Sequence, residues 1–252
     1  MVFPDFGDPA VWLSLLTLTF LEIVLGVDNI IFISIISDRL HPDKQKRART
    51  IGLLFAMIFR TGLLLGITWI MKLTEPLFTI NFIKAMGKPI DISVKDLILM
   101  AGGIFLVAKS TLEIHHKLEK PVGEKAEERT AHATVSSVIL QIVLIDAVFS
   151  FDSILTAIGL VDEVVIMIIA VVISMIIMMA FSGVVSRFIN RNPTLQMLAL
   201  SFLIAIGIML VAEGFHQKIS KSYIYTTIAF SLIVELLNMK LRKKTEALKL
   251  KK

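Results

Sequence analysis

Two stretches, 164–186 and 192–212, run for 23 and 21 residues without a single Asp, Glu, Lys or Arg. About 20 consecutive apolar residues span the hydrocarbon core of a bilayer as a helix. With no water there, every peptide group must be satisfied inside its own segment, which leaves helices as the way such runs cross. A soluble enzyme, a disordered chain and a small disulfide scaffold are thereby excluded, and the chain reads as an integral membrane protein. The absence of cysteine removes disulfides, Cys-zinc and iron–sulfur sites and thiol nucleophiles. A net charge of +5 would suit an anionic partner, but in a membrane chain Lys and Arg belong first to the cytoplasmic loops. The expected surroundings are the lipid bilayer, and no nucleic-acid partner is expected.

Hydropathy and charge predict an all-α polytopic membrane protein with seven transmembrane helices, at roughly 10–37, 50–71, 96–114, 133–160, 163–186, 194–213 and 222–239. Residues 1–9 contain no Lys or Arg, so the first run lacks the basic region of a signal peptide and is expected to stay as a span. With the N-terminus outside, the inner segments 38–49, 115–132, 187–193 and 240–252 hold 18 Lys and Arg, against 6 in the outer segments. That excess predicts N-out, C-in, with a basic cytoplasmic tail. Pro76, Gly87 and Pro89 mark an external loop between Thr74 and Lys95 with short extended pieces.

The chain also resembles itself. Glu22-Ile-Val-Leu-Gly26-Val-Asp28-Asn29-Ile30 aligns with Asp146-Ala-Val-Phe-Ser150-Phe-Asp152-Ser153-Ile154 at an offset of 124, and Gly103-Ile-Phe-Leu-Val-Ala-Lys109 with Gly207-Ile-Met-Leu-Val-Ala-Glu213 at an offset of 104. Spans 1–3 thus correspond to spans 4–6. Each unit has an odd number of spans, so the second enters the membrane in the opposite sense, the inverted repeat of secondary transporters. The expected organisation is a first three-helix repeat at 1–114, a cytoplasmic linker at 115–132, a second repeat at 133–216, and a seventh helix with tail at 217–252.

Four carboxylates, Glu22, Asp28, Asp146 and Asp152, fall well inside spans 1 and 4, with Glu213 and Glu235 nearer span ends; Arg60 and Lys109 are the basic charge partners. An ionised, unpaired carboxylate costs roughly 2.5–3.5 kcal/mol at the centre of a bilayer on insertion scales, so protons or cations must supply the balance. At 100° per residue, Glu22, Gly26 and Asn29 share a face, while Asp28 points about 120° from Glu22. Asp146, Ser150 and Ser153 repeat the pattern, with Asp152 off to the side. Either each helix unwinds near Gly26 and Ser150, or acids pair across the two repeats. The available ligands are all oxygen: carboxylates, the Asn29 amide, the Ser150 and Ser153 hydroxyls, and Gln141. Such sets suit the hard cations Mg²⁺, Ca²⁺ and Mn²⁺ rather than Cu⁺ or Zn²⁺.

LEIVLGVDNIIF in span 1, LIDAVFSFDSILTAIGL in span 4 and DLILMAGGIFLVAKSTLEIH in span 3 closely resemble the TerC family of bacterial integral membrane proteins, and the resemblance extends through LVAEGFH in span 6 to the last span. It implies a seven-span protein of the bacterial plasma (inner) membrane, in a family named for tellurium resistance and associated with Mn²⁺ efflux and metal homeostasis. It carries over Glu22, Asp28, Asp146 and Asp152, with Asn29 and Ser153 beside them. The expected function is export of a divalent cation with Mn²⁺ as substrate, no prosthetic group, and no enzymatic activity. Asp28 and Asp152 are expected as direct ligands, and Glu22 and Asp146 as ligands or proton carriers. The two repeats would rock around the site, and metal entry would displace protons.

Other readings compete. The acids could pair with Arg60 and Lys109 simply to fix packing; Arg60 is expected as a counter-ion rather than a gate. A cation-binding scaffold or sensor, or transport of Ca²⁺ or another solute, would use the same residues. An intramembrane aspartyl protease is disfavoured because Leu25-Gly26-Val27-Asp28 and Phe149-Ser150-Phe151-Asp152 lack a Gly-x-Gly-Asp motif. His115, His116 and His132 with Glu113 read as a solvated loop rather than a metal sensor, and His41 and His216 as surface residues. Met175, Met178 and Met179 read as packing.

Overall fold

The computed structural model describes residues 4–66, 71–85, 88–118, 134–158, 161, 163–217 and 219–249, excepting the side chains at 27, 28, 80–85, 88–90, 152, 155, 156, 221 and 243–249. Seven long helices account for most of them: α1 Pro9–Ser37, α2 Pro42–Leu65, α3 Val94–Leu118, α4 Val135–Ile158, α5 Val164–Asn190, α6 Pro193–Gly214 and α7 Lys221–Lys249. Six are long and apolar enough to cross a membrane, and α4 carries an apolar stretch over Val135–Phe151. The protein is an all-α polytopic membrane protein.

Local sequence sets the helix starts. Pro9, Pro42 and Pro193 each stand in the first turn of a helix, where a missing N–H costs nothing and the fixed φ is already helical. Asp8 caps α1 through its side chain, which accepts from Ala10 N at 2.9 Å. Ser93 and Asp96 form a reciprocal cap at the start of α3: Asp96 Oδ2 accepts from Ser93 N at 2.8 Å, and Asp96 N donates to Ser93 Oγ at 3.3 Å. Between α2 and α3 the chain forms an antiparallel hairpin, β1 Pro76–Ala85 with β2 Lys88–Ser93. It gives form to the extended pieces expected there. The expected linker at 115–132 begins while α3 is still helical, to Leu118, and the rest of it lies outside the described residues.

Packing is dominated by three pairs: α3 on α6, α1 on α5, and α2 on α4. Phe32, Ile33 and Ile36 of α1, Leu106 of α3, Ile142 of α4 and Leu200 of α6 are almost wholly buried. Outward, Trp12, Leu16 and Phe20 of α1, Phe55 and Ile58 of α2, and Phe230 of α7 are exposed. A soluble protein rarely presents so much apolar surface; facing lipid, the same surface is at home. Without a hydrophobic driving force between helices in lipid, close approach of small residues becomes the main device. Gly26 faces Met178 Sδ, Gly52 faces Ile142, and Gly103 and Gly207 face each other. Met175 and Met178 are buried in this core, as the packing reading expects.

Candidate metal centre

The buried stripes of three helices point their polar residues at one place. On α1 the stripe runs Leu15, Leu18, Glu22, Gly26, Asn29 and Ile33; on α4 it runs Val138, Ile142, Asp146, Ser150, Ser153 and Ala157. Both step by three or four residues, the spacing of one helix face. On α2, Gly52, Ala56, Arg60 and Leu64 are buried at strict four-residue steps. Arg60, at 2% exposure, therefore enters the bundle between the other two stripes, where Glu22 is 5% and Asp146 1% exposed.

Every nitrogen of that guanidinium is engaged. Arg60 Nη1 donates to Glu22 Oε2. Nη2 donates to Asp146 Oδ1 at 3.1 Å, and Nε to Ser150 Oγ at 2.8 Å. Ser150 Oγ in turn lies 2.9 Å from Asp146 Oδ2 and 2.5 Å from the Asp146 carbonyl, with its one proton to give. Asn29 Nδ2 donates to Asp146 Oδ1 at 3.3 Å. Two carboxylates against one guanidinium leave one negative charge uncompensated in the described cluster.

The helices do not unwind to achieve this: α1 is continuous through Gly26, and α4 through Ser150. Glu22 and Asp146, the equivalent positions of the two acidic motifs, converge from separate helices on the Arg60 side chain. Of the two arrangements the spacing allowed, unwinding does not occur, and of the acids that were to pair across the repeats Glu22 and Asp146 meet through a shared cation. The side chains of Asp28 and Asp152 lie outside the described residues. Among the described residues no three His, Asp or Glu side chains cluster as a metal site.

A cavity opens beside the cluster, lined by Asn29, Arg60, Ser153, Phe149, Met209 and Tyr225. Asn29 Oδ1 is buried without a hydrogen-bond partner. A buried carbonyl oxygen left unpaired costs on the order of 1–3 kcal/mol, and such an acceptor suits an oxygen-seeking cation. Ser153 Oγ donates to the Ser150 carbonyl at 3.2 Å. A second, mostly apolar cavity reaches Glu22 past Leu18, Leu64 and Met167, on the side toward the hairpin end of the bundle.

Other expected ligands and partners lie elsewhere. Gln141 Nε2 is turned back to Ser137 of its own helix, to its carbonyl at 3.2 Å and its Oγ at 3.0 Å. Lys109 has Arg39 and Glu113 as its charged neighbours, away from Glu22 and Asp146. Glu113 itself pairs with Arg39, and the rings of His115 and His116 are 6.4 Å apart; His132 lies outside the described residues. His41 pairs with Asp43 at 3.2 Å. His216 is exposed, as the surface reading expects, and its ring also bonds the buried Asp96 carboxylate at 3.1 Å. Sequence reasoning missed Met209 and Tyr225 in the cavity wall. The one available signal was that Tyr225 is among only two tyrosines in the chain, both at the start of the last span.

The sequence profile of the family described as integral membrane protein TerC matches residues 7–247. The chain is 46% identical over 231 residues to the UPF0053 inner membrane protein YoaE of Escherichia coli K12, covering 92% of this chain and 43% of the relative. It is 45% identical to a UPF0053 protein of Buchnera aphidicola from Schizaphis graminum, covering 92% of this chain and 44% of that protein. Against the UPF0053 protein YegH of E. coli K12 the identity is 43%, covering 92% and 42%. The chain thus spans less than half the length of these curated relatives. No solved structure matches.

Proposed function

From the premise that the chain belongs to the TerC family of integral membrane proteins, we propose that it exports a divalent metal cation, Mn²⁺ foremost, across the bacterial inner membrane. The observation that carries this reading is the convergence of Glu22 and Asp146 on Arg60 beside the unpartnered Asn29 oxygen. Intramembrane ionisable groups are expensive and rarely without a role. This set offers carboxylate, amide and hydroxyl oxygens, the ligands hard divalent cations take.

Arg60 acts as a resident counter-cation. Without substrate it pairs with both Glu22 and Asp146 and offsets one of their two charges; a divalent ion brought in by Asp28 and Asp152 competes for the same carboxylates and displaces the guanidinium or protons held nearby. The side chain returns once the ion leaves, so the emptied site is never left with two bare acids. Alternating exposure would come from rocking of α1–α3 against α4–α6. The helix pairing supports this: exchanging α1 with α4, α2 with α5 and α3 with α6 turns the α1–α5 contact into the α4–α2 contact and leaves α3–α6 in place. The orientation is N-out and C-in, supported by the Lys and Arg bias.

Mn²⁺ efflux from reconstituted vesicles tests the proposal, with Asp28→Asn, Asp152→Asn and Glu22→Gln against the wild type. Flux should fall to the level of empty vesicles in the Asp variants, and flux unchanged by them overturns it. The ion-pair geometry of Arg60 also favours a second reading, in which the acids only lock the helices together. Under it, Glu22→Gln lowers thermal stability equally with and without metal. Running Ca²⁺, Mg²⁺ and Zn²⁺ in parallel separates Mn²⁺ export from transport of another ion, and metal-dependent stabilisation without flux identifies a binding scaffold.

A further inference from the structure

A second buried guanidinium sits in a different chemical setting. Arg49 is on the same buried stripe of α2 as Arg60, eleven residues and about 16 Å away along the helix axis. Its residue is 8% exposed, yet among the described residues it has no carboxylate within salt-bridge reach. Nη1 donates to two neutral hydroxyls, Ser37 Oγ of α1 at 3.3 Å and Ser186 Oγ of α5 at 3.2 Å. Nε is buried and unpartnered. The Nε–Nη2 edge, on which a guanidinium grips an oxyanion through two parallel hydrogen bonds, carries no hydrogen bond among the described residues.

The surroundings are positive. The charges acting on Arg49 are the Arg187 guanidinium and the Asp38 carboxylate, and Asp38 Oδ1 already accepts from Asn190 Nδ2 at 2.9 Å. Lys44, Lys46, Arg47 and Arg187 are exposed nearby in sequence on α2 and α5. The depth is also defined. Ser37 ends α1, Arg49 lies where the polar start of α2 gives way to its apolar run, and Ser186 follows the charge-free stretch of α5. In the topology expected from the Lys and Arg bias, that depth is the headgroup level on the cytoplasmic side.

We propose that Arg49, held by Ser37 and Ser186 and assisted by Arg187, is a phosphate-binding site where α1, α2 and α5 meet, and that the phosphate is that of an anionic phospholipid headgroup. Inorganic phosphate shares the chemistry and is the alternative source. Nη1 is fixed by the two hydroxyls, which leaves the Nε–Nη2 edge free for a ligand; the unpartnered Nε–H is satisfied when a phosphate oxygen arrives. A bound headgroup would tie three helices from both halves of the bundle at one end. This site is separate from the Glu22–Arg60–Asp146 cluster and does not depend on its function.

The test is thermal unfolding of the full chain in neutral detergent, titrated with phosphatidylglycerol, with phosphatidylcholine as control, and separately with inorganic phosphate. In the wild type, phosphatidylglycerol raises the melting temperature over phosphatidylcholine, and Arg49→Gln, which can still bond a serine hydroxyl, loses the difference. Should phosphate alone reproduce the shift and Arg49→Gln abolish it, the site stands with the free anion as ligand. A selective shift that Arg49→Gln retains, or no shift from either phosphate source, overturns the proposal. Arg187→Gln, on an exposed position, serves if Arg49→Gln does not fold, and must reduce the shift. Native mass spectrometry gives the independent count: phosphatidylglycerol retained by the wild type is lost from the variant.

Discussion

Gly103 and Gly207 meet backbone to backbone where α3 crosses α6: a Cβ added to Gly103 would stand 2.5 Å from the Gly207 carbonyl oxygen, and one added to Gly207 would stand 2.8 Å from the Gly103 oxygen. The two residues are equivalent in the internal alignment of the chain, so the contact is reciprocal in sequence as well as in space. Such an approach has no flexible side chain to yield. It is the means by which the most extensive helix pair of the bundle comes close enough for dispersion and Cα–H contacts to hold it in lipid.

Gly103→Ala and Gly207→Ala are each expected to destabilise the fold by about 1–3 kcal/mol, the usual cost of overpacking. The double variant should cost less than the sum, because one separation of the helices relieves both clashes. Thermal unfolding in detergent checks this, with Gly183→Ala as control, since a Cβ there meets nothing within 4 Å.

Arg60→Gln removes the only described cation from a cluster with two buried carboxylates. Breaking a buried ion pair on one side typically costs about 3–5 kcal/mol, and a variant of that kind should express poorly or melt early. Adding Glu22→Gln and Asp146→Asn takes away the charges left behind and should restore much of the lost stability. A triple variant no more stable than Arg60→Gln would mean that the guanidinium acts by packing alone.

At the start of α3, Asp96 accepts from the Ser93 amide, from the Ser93 hydroxyl at 2.6 Å and from His216. Asp96→Ala deletes all three, including the helix cap, and is expected to cost about 0.5–2 kcal/mol. His216→Ala should cost less, because both Ser93 bonds survive and the ring is 43% exposed. Equal losses in the two variants would show that His216, not the cap, holds this end of α3 to the α6–α7 turn.

The spans were legible because hydrocarbon imposes one rule on every residue of a crossing segment, and the charge-free runs obey it. The face shared by Glu22, Gly26 and Asn29 was legible too, since helical spacing alone decides it. What spacing could not decide was which acids would meet: α1 and α4 stay unbroken, and Glu22 reaches Asp146 only through an arginine on a third helix. Arg60 was readable as a counter-ion because a lone buried cation must find an acid. Lys109, equally lone in the sequence, lies near the other end of α3 beside Arg39 and Glu113. Tyr225 escaped because the seventh helix, which brings it to the cavity, has no counterpart in the internal alignment, and Met209 of α6 because an apolar pattern reads the same against lipid as against a cavity.

Asn29 tests the cation reading most directly, because its two polar atoms pull stability in opposite directions. Nδ2 gains a bond to Asp146, while Oδ1 is buried with no partner. Asn29→Leu keeps similar bulk, loses the bond and also removes the unsatisfied oxygen, so the two effects, each on the order of 1 kcal/mol, largely cancel in the metal-free protein. With Mn²⁺ present the oxygen has a role that leucine cannot take. Metal-dependent stabilisation and vesicle flux should both fall, with affinity weaker by roughly 10–100-fold, as when a group that ligates or orients a metal site is removed. A variant whose Mn²⁺-dependent melting shift matches that of the wild type would sever Asn29 from the site, and an equal loss of stability with and without metal would make it a packing residue.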